Sequence, residues 1–178
     1  MSDPLGPPPF HLQLAGPAAR PAGHPGHAFV LPALAVGEYP TPEDAVWLRD
    51  VCRIGTVISL QDDLDLERKG LRLSALQRAY TAADIALERF PVSDGDAAGL
   101  CVVLDRVVAA LHARLEAGQR VYLHCNAGLN RAPSVAVAYL HRHHGLALDE
   151  ACATIKARRP CVPYMRALRQ HYAASVAG

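Results

Sequence analysis

The stretch "RVYLHCNAGLNRAPSVAVAYLHRHHG", residues 120–145, constrains this chain more than any other. Val121 to His124 is short and apolar, as a strand covered on both faces is. From Ala132 onward the sequence is apolar nearly all round, which marks a helix buried on every side and ended by Gly145. A buried strand and a buried helix joined by so few residues require a sheet with helices on its faces. The joining loop must then lie at the carboxyl end of a strand, where ligands bind in such folds.

The remaining segments supply that sheet and those helices. Phe29 to Val36 reads as a strand stopped by Gly37, and "TPEDAVWLRDV" begins a helix, with Thr41 as N-cap, Pro42 in the first turn and Glu43 and Asp44 near the positive end of the dipole. Ile54 to Leu60 reads as a buried strand, and "QDDLDLERKG" leaves it as a polar loop or a short turn of helix. Leu71 to Ala82 has a helical pattern, Ala86 to Val92 that of a strand, and "SDGDAAG" is loop by composition. A long helix follows, with Val103, Val107, Ala110, Leu111 and Leu115 on one side and Gly118 as its stop. Two more helices are expected near Asp149 to Arg158 and Pro163 to Ala174. The fold class is therefore α/β, with a central, mostly parallel sheet of about five strands flanked by helices.

Residues 1–27 differ in kind. Pro4, Pro7, Pro8, Pro9, Pro17, Pro21 and Pro25, with interspersed glycines, predict a disordered or extended arm, within which Phe10 to Leu14 alternates like an edge strand. One domain is expected over 28–178. The formal net charge is +1, so no overall field points to nucleic acid or to a membrane surface, although Lys156, Arg158, Arg159, Arg166 and Arg169 form a local basic stretch. There is no apolar run long enough for a membrane span and no signal-peptide pattern. The five cysteines are odd in number and lack paired CxxC spacing, as in a reducing compartment. The expectation is a cytoplasmic protein, monomeric by default, with no nucleic-acid or membrane partner. The His141–His144 run is expected to complement the C-terminal end of a helix dipole rather than to bind metal, and no cofactor is implied.

The loop itself carries chemistry. A phosphate monoester brings about two negative charges, and the backbone amides of Asn126, Ala127, Gly128, Leu129, Asn130 and Arg131, curving into a helix N-terminus, form a nest for it. Arg131 adds a fork that can meet two phosphate oxygens at once. Cys125 lies where nest and dipole favour a thiolate, the form that attacks. His124 points to the opposite face of its strand, so it is expected to steady the loop by a hydrogen bond rather than to take the thiol's proton.

The pattern HCxxGxxR, here His124, Cys125, Gly128 and Arg131, resembles the signature of the cysteine-dependent protein tyrosine phosphatases, and the short chain resembles their dual-specificity branch. "CNAGLNRAP", "LAVGEYPTPEDAVWLRDV", "SLQDDLDLERKG" and "ARRPCVPYMRALR" are similar to stretches of the glucan phosphatases, laforin-like and plant starch-excess type. The resemblance runs from about Phe29 to about His171. It implies the dual-specificity phosphatase fold and a two-step hydrolysis: Cys125 attacks phosphorus, Arg131 and the loop amides hold the oxygens, and an aspartic acid protonates the leaving oxygen. In the family that acid stands on the loop before the long helix, which makes Asp94 the candidate and Asp96 its rival.

The resemblance also implies a phosphorylated α-glucan or related phospho-carbohydrate as substrate, with a phosphoprotein as the alternative and phosphate binding without turnover as a third reading. Three departures bear on this. Ala132 stands where most of the wider family has Ser or Thr, Asn130 where the starch-excess enzymes usually have Gly, and Gly95, Ala97 and Ala98 where those enzymes carry aromatic residues that platform a glucan. Tyr39, Tyr80, Phe90 and Tyr164 are the aromatics that could line a channel instead.

Overall fold

A computed structural model describes residues 23–176. It contains five strands, β1 (His27–Leu31), β2 (Leu34–Gly37), β3 (Thr56–Ser59), β4 (Ala86–Arg89) and β5 (Val121–His124). The helices are α1 (Ala45–Asp50), α2 (Asp63–Arg68), α3 (Leu73–Ala82), α4 (Ala97–Glu116), α5 (Arg131–His144), α6 (Leu148–Arg158) and α7 (Met165–Val176). The strand order is β1-β2-β5-β3-β4, antiparallel only between β1 and β2 and parallel elsewhere. β5 is thus the centre of the sheet, and the loop after it opens between the carboxyl ends of β2 and β3.

Side-chain alternation divides the core. Leu34 and Val36 of β2, Ile58 of β3 and Val121 and Leu123 of β5 face the large cluster built with α4, α5, α6 and α7. Ala35, Val57 and Tyr122 face a smaller cluster with α1 and α3. Every residue of α5 from Arg131 to Leu140 is buried, as its all-round apolar sequence predicts. Each fully buried aliphatic side chain of this kind contributes about 1.5–3 kcal/mol, so the helix that carries the site is anchored firmly. Gly145, at φ +70, ends it.

One sequence expectation is corrected here. The Phe29–Val36 strand is a hairpin: Pro32 and Ala33 turn the chain, and Leu31 pairs with Leu34. Proline presets φ for such a turn and cannot donate to a ladder, and this outweighs the apolar run around it. Residues just before 28 also make contacts with the rest of the structure. His24 stacks on Trp47 with ring centroids 4.2 Å apart, Gly26 N donates to Glu38 Oε2, and His27 already belongs to β1. The expected Phe10–Leu14 strand lies outside the described residues. Among those described, no helix is long and apolar enough to cross a membrane.

Candidate active site

Residues 125–131 run from the end of β5 into α5. Gly128 has φ +63, and a Cβ there would stand 2.6 Å from Gly37 O. Only glycine permits both this conformation and this approach of the loop to β2.

The loop is tied down through its carbonyls. Arg159 Nε donates to Gly128 O at 3.0 Å and Nη2 to Ala127 O at 2.7 Å. Tyr39 N donates to Asn126 O, and Val162 N to Leu129 O. Asn130 Nδ2 returns the link by donating to Val162 O at 2.8 Å. Ser134 Oγ donates to Asn130 O and accepts from Tyr164 N, both at 2.7 Å. With both roles filled, that hydroxyl does not replace the one that Ala132 lacks.

Arg131 is wholly buried and divided in function. Nη1 donates to Asp65 Oδ2 and Val92 O, each at 2.6 Å, and to Leu60 O at 3.3 Å. Nε and Nη2 have no hydrogen bond, although Nη2 lies 3.1 Å from Asp94 Oδ1. The anchored edge fixes the fork, and the other edge lies beside Asp94. Burial opposes this charge, but Cys125, Asp65 and Asp94 outweigh it and raise the guanidinium above its ordinary range.

Asp65 also accepts from Asn126 Nδ2 at 2.6 Å, and Gln61 Nε2 donates to Asn126 Oδ1 at 2.8 Å. Asp62 caps α2 and accepts from Asp65 N at 2.8 Å, so helix start and site are one construction. The sequence reading did not single out Gln61, Asp65 or Ser134, and it treated Arg159 only as part of a basic stretch. Asp65→Asn keeps an oxygen for Arg131 but removes the charge from a buried pair. It is expected to lower stability by about 2 kcal/mol, read as a shift of the urea midpoint.

The rival acids separate. Asp96 is the N-cap of α4 and accepts from Gly99 N at 2.7 Å. Asp94, on the loop ahead of it, turns its carboxylate toward Arg131 and lies 3.5 Å from Asn126 Nδ2. Cys125 is 3% exposed at the base of the loop.

His124 lies on the other face, in a small pocket with Leu66, Leu76 and Tyr80. Its Nδ1–H donates to Cys125 O at 3.0 Å. Burial, with a smaller push from Arg131, lowers its pKa to about 4 even against that bond. The unfolded chain binds a proton near 6.5, so folding releases it and stability must fall as pH drops from about 6.5 toward 4. The loss approaches about 3 kcal/mol. A urea series over this range should show the slope, and His124→Asn, which retains a donor, should flatten it.

The aromatics divide as well. Tyr80 is a core residue, 1% exposed, and is corrected as a channel candidate. Tyr39 has Lys69 Nζ over its ring at 5.3 Å, and Phe90 packs against the main core. Tyr164 alone of the four borders a large groove.

A buried cysteine at the start of a loop that runs from a central strand into a helix, with an anchored arginine at that helix's first turn, is the arrangement of proteins that attack phosphate monoesters through cysteine. The chain belongs to the dual specificity phosphatase catalytic domain family, whose model matches residues 41–174. It is 37% identical over 144 residues to the phosphoglucan phosphatase DSP4, amyloplastic, of Castanea sativa. That match covers 79% of this chain but 38% of the relative, so the chain spans well under half its length. Human dual specificity phosphatase 28 is 32% identical over 125 residues, covering 68% of this chain and 71% of that one. Among solved structures, Tk-PTP in its active form superposes with a TM-score of 0.68 at 24% identity, over 82% of this chain and 95% of that chain, a likeness of fold.

Proposed function

We propose that this protein hydrolyses phosphate monoesters through a cysteinyl-phosphate, with phosphorylated α-glucan as its substrate. The observation that carries the chemistry is the split Arg131 fork: one edge locked on Asp65 and Val92, the other, Nε and Nη2, without a hydrogen-bond partner and beside Asp94. Phosphate enters that ring with two oxygens on the fork. The Cys125 thiolate attacks phosphorus in line, the P–O ester bond breaks, and Asp94 gives its proton to the departing alkoxide. Water then attacks the phosphocysteine, Asp94 takes its proton, and the P–S bond breaks to return the thiolate and free phosphate.

Support for the glucan comes from the relative named a phosphoglucan phosphatase and from the Ala-Gly-aliphatic centre and the Ala-Pro after Arg131 in "CNAGLNRAP", which resemble the glucan phosphatases although Asn130 departs from them. The bare acid loop, Gly95, Ala97 and Ala98, favours a second reading, a dual-specificity protein phosphatase. The experiment compares phosphate release from phosphorylated amylopectin with release from phosphotyrosine and phosphoserine peptides. A higher kcat/KM on the glucan is expected. If phosphopeptides are turned over faster by a wide margin, the second reading replaces the first.

A further inference from the structure

Asn126 follows the nucleophile in the chain, and its carboxamide is held on three sides. Gln61, wholly buried on the loop after β3, donates from Nε2 to Asn126 Oδ1 at 2.8 Å. Asn126 Nδ2 in turn donates to Asp65 Oδ1 at 2.6 Å and lies 3.5 Å from Asp94 Oδ2. Asp65 Oδ2 takes Arg131 Nη1, so one carboxylate sets the carboxamide and the guanidinium in a common frame. The carboxamide has one orientation in this frame. A half-turn would set its oxygen against two carboxylates and its amino group against the Gln61 donor, losing every bond that it makes.

The two oxygens of Asp94 therefore have different neighbours. Oδ1 lies 3.1 Å from Arg131 Nη2, on the edge of the fork that has no hydrogen bond, and Oδ2 lies beside Asn126 Nδ2. A phosphate that takes this edge of the fork competes with Oδ1 for Nη2. Asp94 is exposed on its loop, so its carboxyl then needs another contact to stay aimed.

We infer that Asn126 is a positioning residue for the general acid: its Nδ2–H holds Asp94 Oδ2, which keeps the acid's proton on Oδ1, the oxygen nearer the fork and its phosphate. This rests on the cysteinyl-phosphate reading above, with Asp94 as the acid. A carboxylic acid donates from one oxygen only, and an N–H on the other favours the carbonyl form there. As the P–O ester bond breaks, the leaving oxygen takes the proton from Oδ1. The carboxylate that remains keeps the Asn126 donor, in a bond that its charge strengthens. Oδ1 then takes a proton from the attacking water. At 3.5 Å the contact is long, as catalytic hydrogen bonds often are before substrate arrives; it tightens as Oδ1 gives up Nη2.

Asn126→Ala removes the carboxamide and keeps the main-chain bond from Tyr39 N to the oxygen of residue 126. Gln61→Met leaves the carboxamide in place but unlocked; Gln61 Oε1 is buried without a partner, so the thioether strands no new group. Each is measured alone and combined with Asp94→Asn, on aryl phosphates from p-nitrophenyl to phenyl, which makes the test independent of the natural ester. Asn126→Ala is expected to lower kcat on phenyl phosphate about 10- to 100-fold, the scale of a hydrogen bond to a charged group, and Gln61→Met about threefold to tenfold. KM should change far less. Both should steepen the dependence on the leaving group. In the Asp94→Asn background neither should cost anything further, because a residue that acts through the acid has nothing left to position.

If the losses multiply in the double variants, or fall equally on every aryl phosphate, the carboxamide shapes the loop rather than the acid and the inference fails. It fails equally if Asn126→Ala loses nothing. Melting curves check folding, and should Asn126→Ala melt early, Gln61→Met decides by the same two criteria. An Asp94→Asn variant with full activity on phenyl phosphate would show instead that Asp94 is not the acid, and would remove the reading on which this inference rests.

Discussion

Cys125→Ser should release phosphate from any ester at least roughly 10⁴-fold more slowly than the wild type, the scale of loss when an enzyme's only nucleophile is removed. The serine oxygen would occupy the same buried position, with the loop still tied by Arg159, Tyr39 and Val162. What changes is the charge on the attacking atom. A hydroxyl holds its proton at neutral pH, and His124 does not stand by to take it, because its Nδ1–H is spent on Cys125 O and its ring packs on the opposite face of β5. Nest and fork persist, so the variant should still bind phosphate and phosphorylated glucan. Calorimetry with inorganic phosphate and a single-turnover assay separate the two properties. Appreciable turnover by the serine variant would mean that water, not sulfur, attacks phosphorus. Loss of phosphate binding together with activity would mean instead that the loop had collapsed.

The sheet, the central helix and the nest are legible in the sequence because each follows from local constraints. β5 and α5 are apolar on every side, and the glycines at 118, 128 and 145 stand where φ is positive. The groups that hold the nest in shape are not legible in this way, because each acts across a long interval of chain. Asp65 meets Arg131 only because β3 lies beside β5 and sends α2 across the mouth of the loop. Its sequence context, DDLDLER, reads as an exposed and well-capped helix start. Arg159 likewise sits among basic residues of which Arg158 is half-buried and Lys156 exposed, and nothing local distinguishes the one that is 4% exposed. The hairpin at Pro32 has the opposite cause: a single residue's missing N–H overrides an apolar run that pattern alone assigns to one strand.

Asp94, the expected general acid, and Asp96, its rival on the same loop, should part company when each is changed to asparagine. Asp94→Asn is expected to slow hydrolysis of phosphoglucan by about 10²- to 10⁴-fold, the usual contribution of a positioned general acid. The loss should be much smaller on p-nitrophenyl phosphate, because a phenolate that is already stable needs no proton as it departs. A series of aryl phosphates should therefore show a steeper dependence on the leaving group in this variant than in the wild type. Asp96→Asn should instead behave as a change of helix cap. Asn also caps well, so its cost should stay below about 1 kcal/mol, with kcat close to wild type on both substrates. The geometry behind this division is that Asp96 Oδ1 is spent on Gly99 N, while Asp94 reaches toward the edge of Arg131 that a phosphate would share. Were Asp96→Asn the variant to lose glucan activity, with Asp94→Asn nearly unaffected, the cap would have to open and turn inward during catalysis. The proton would then come from the first turn of α4 rather than from the loop ahead of it.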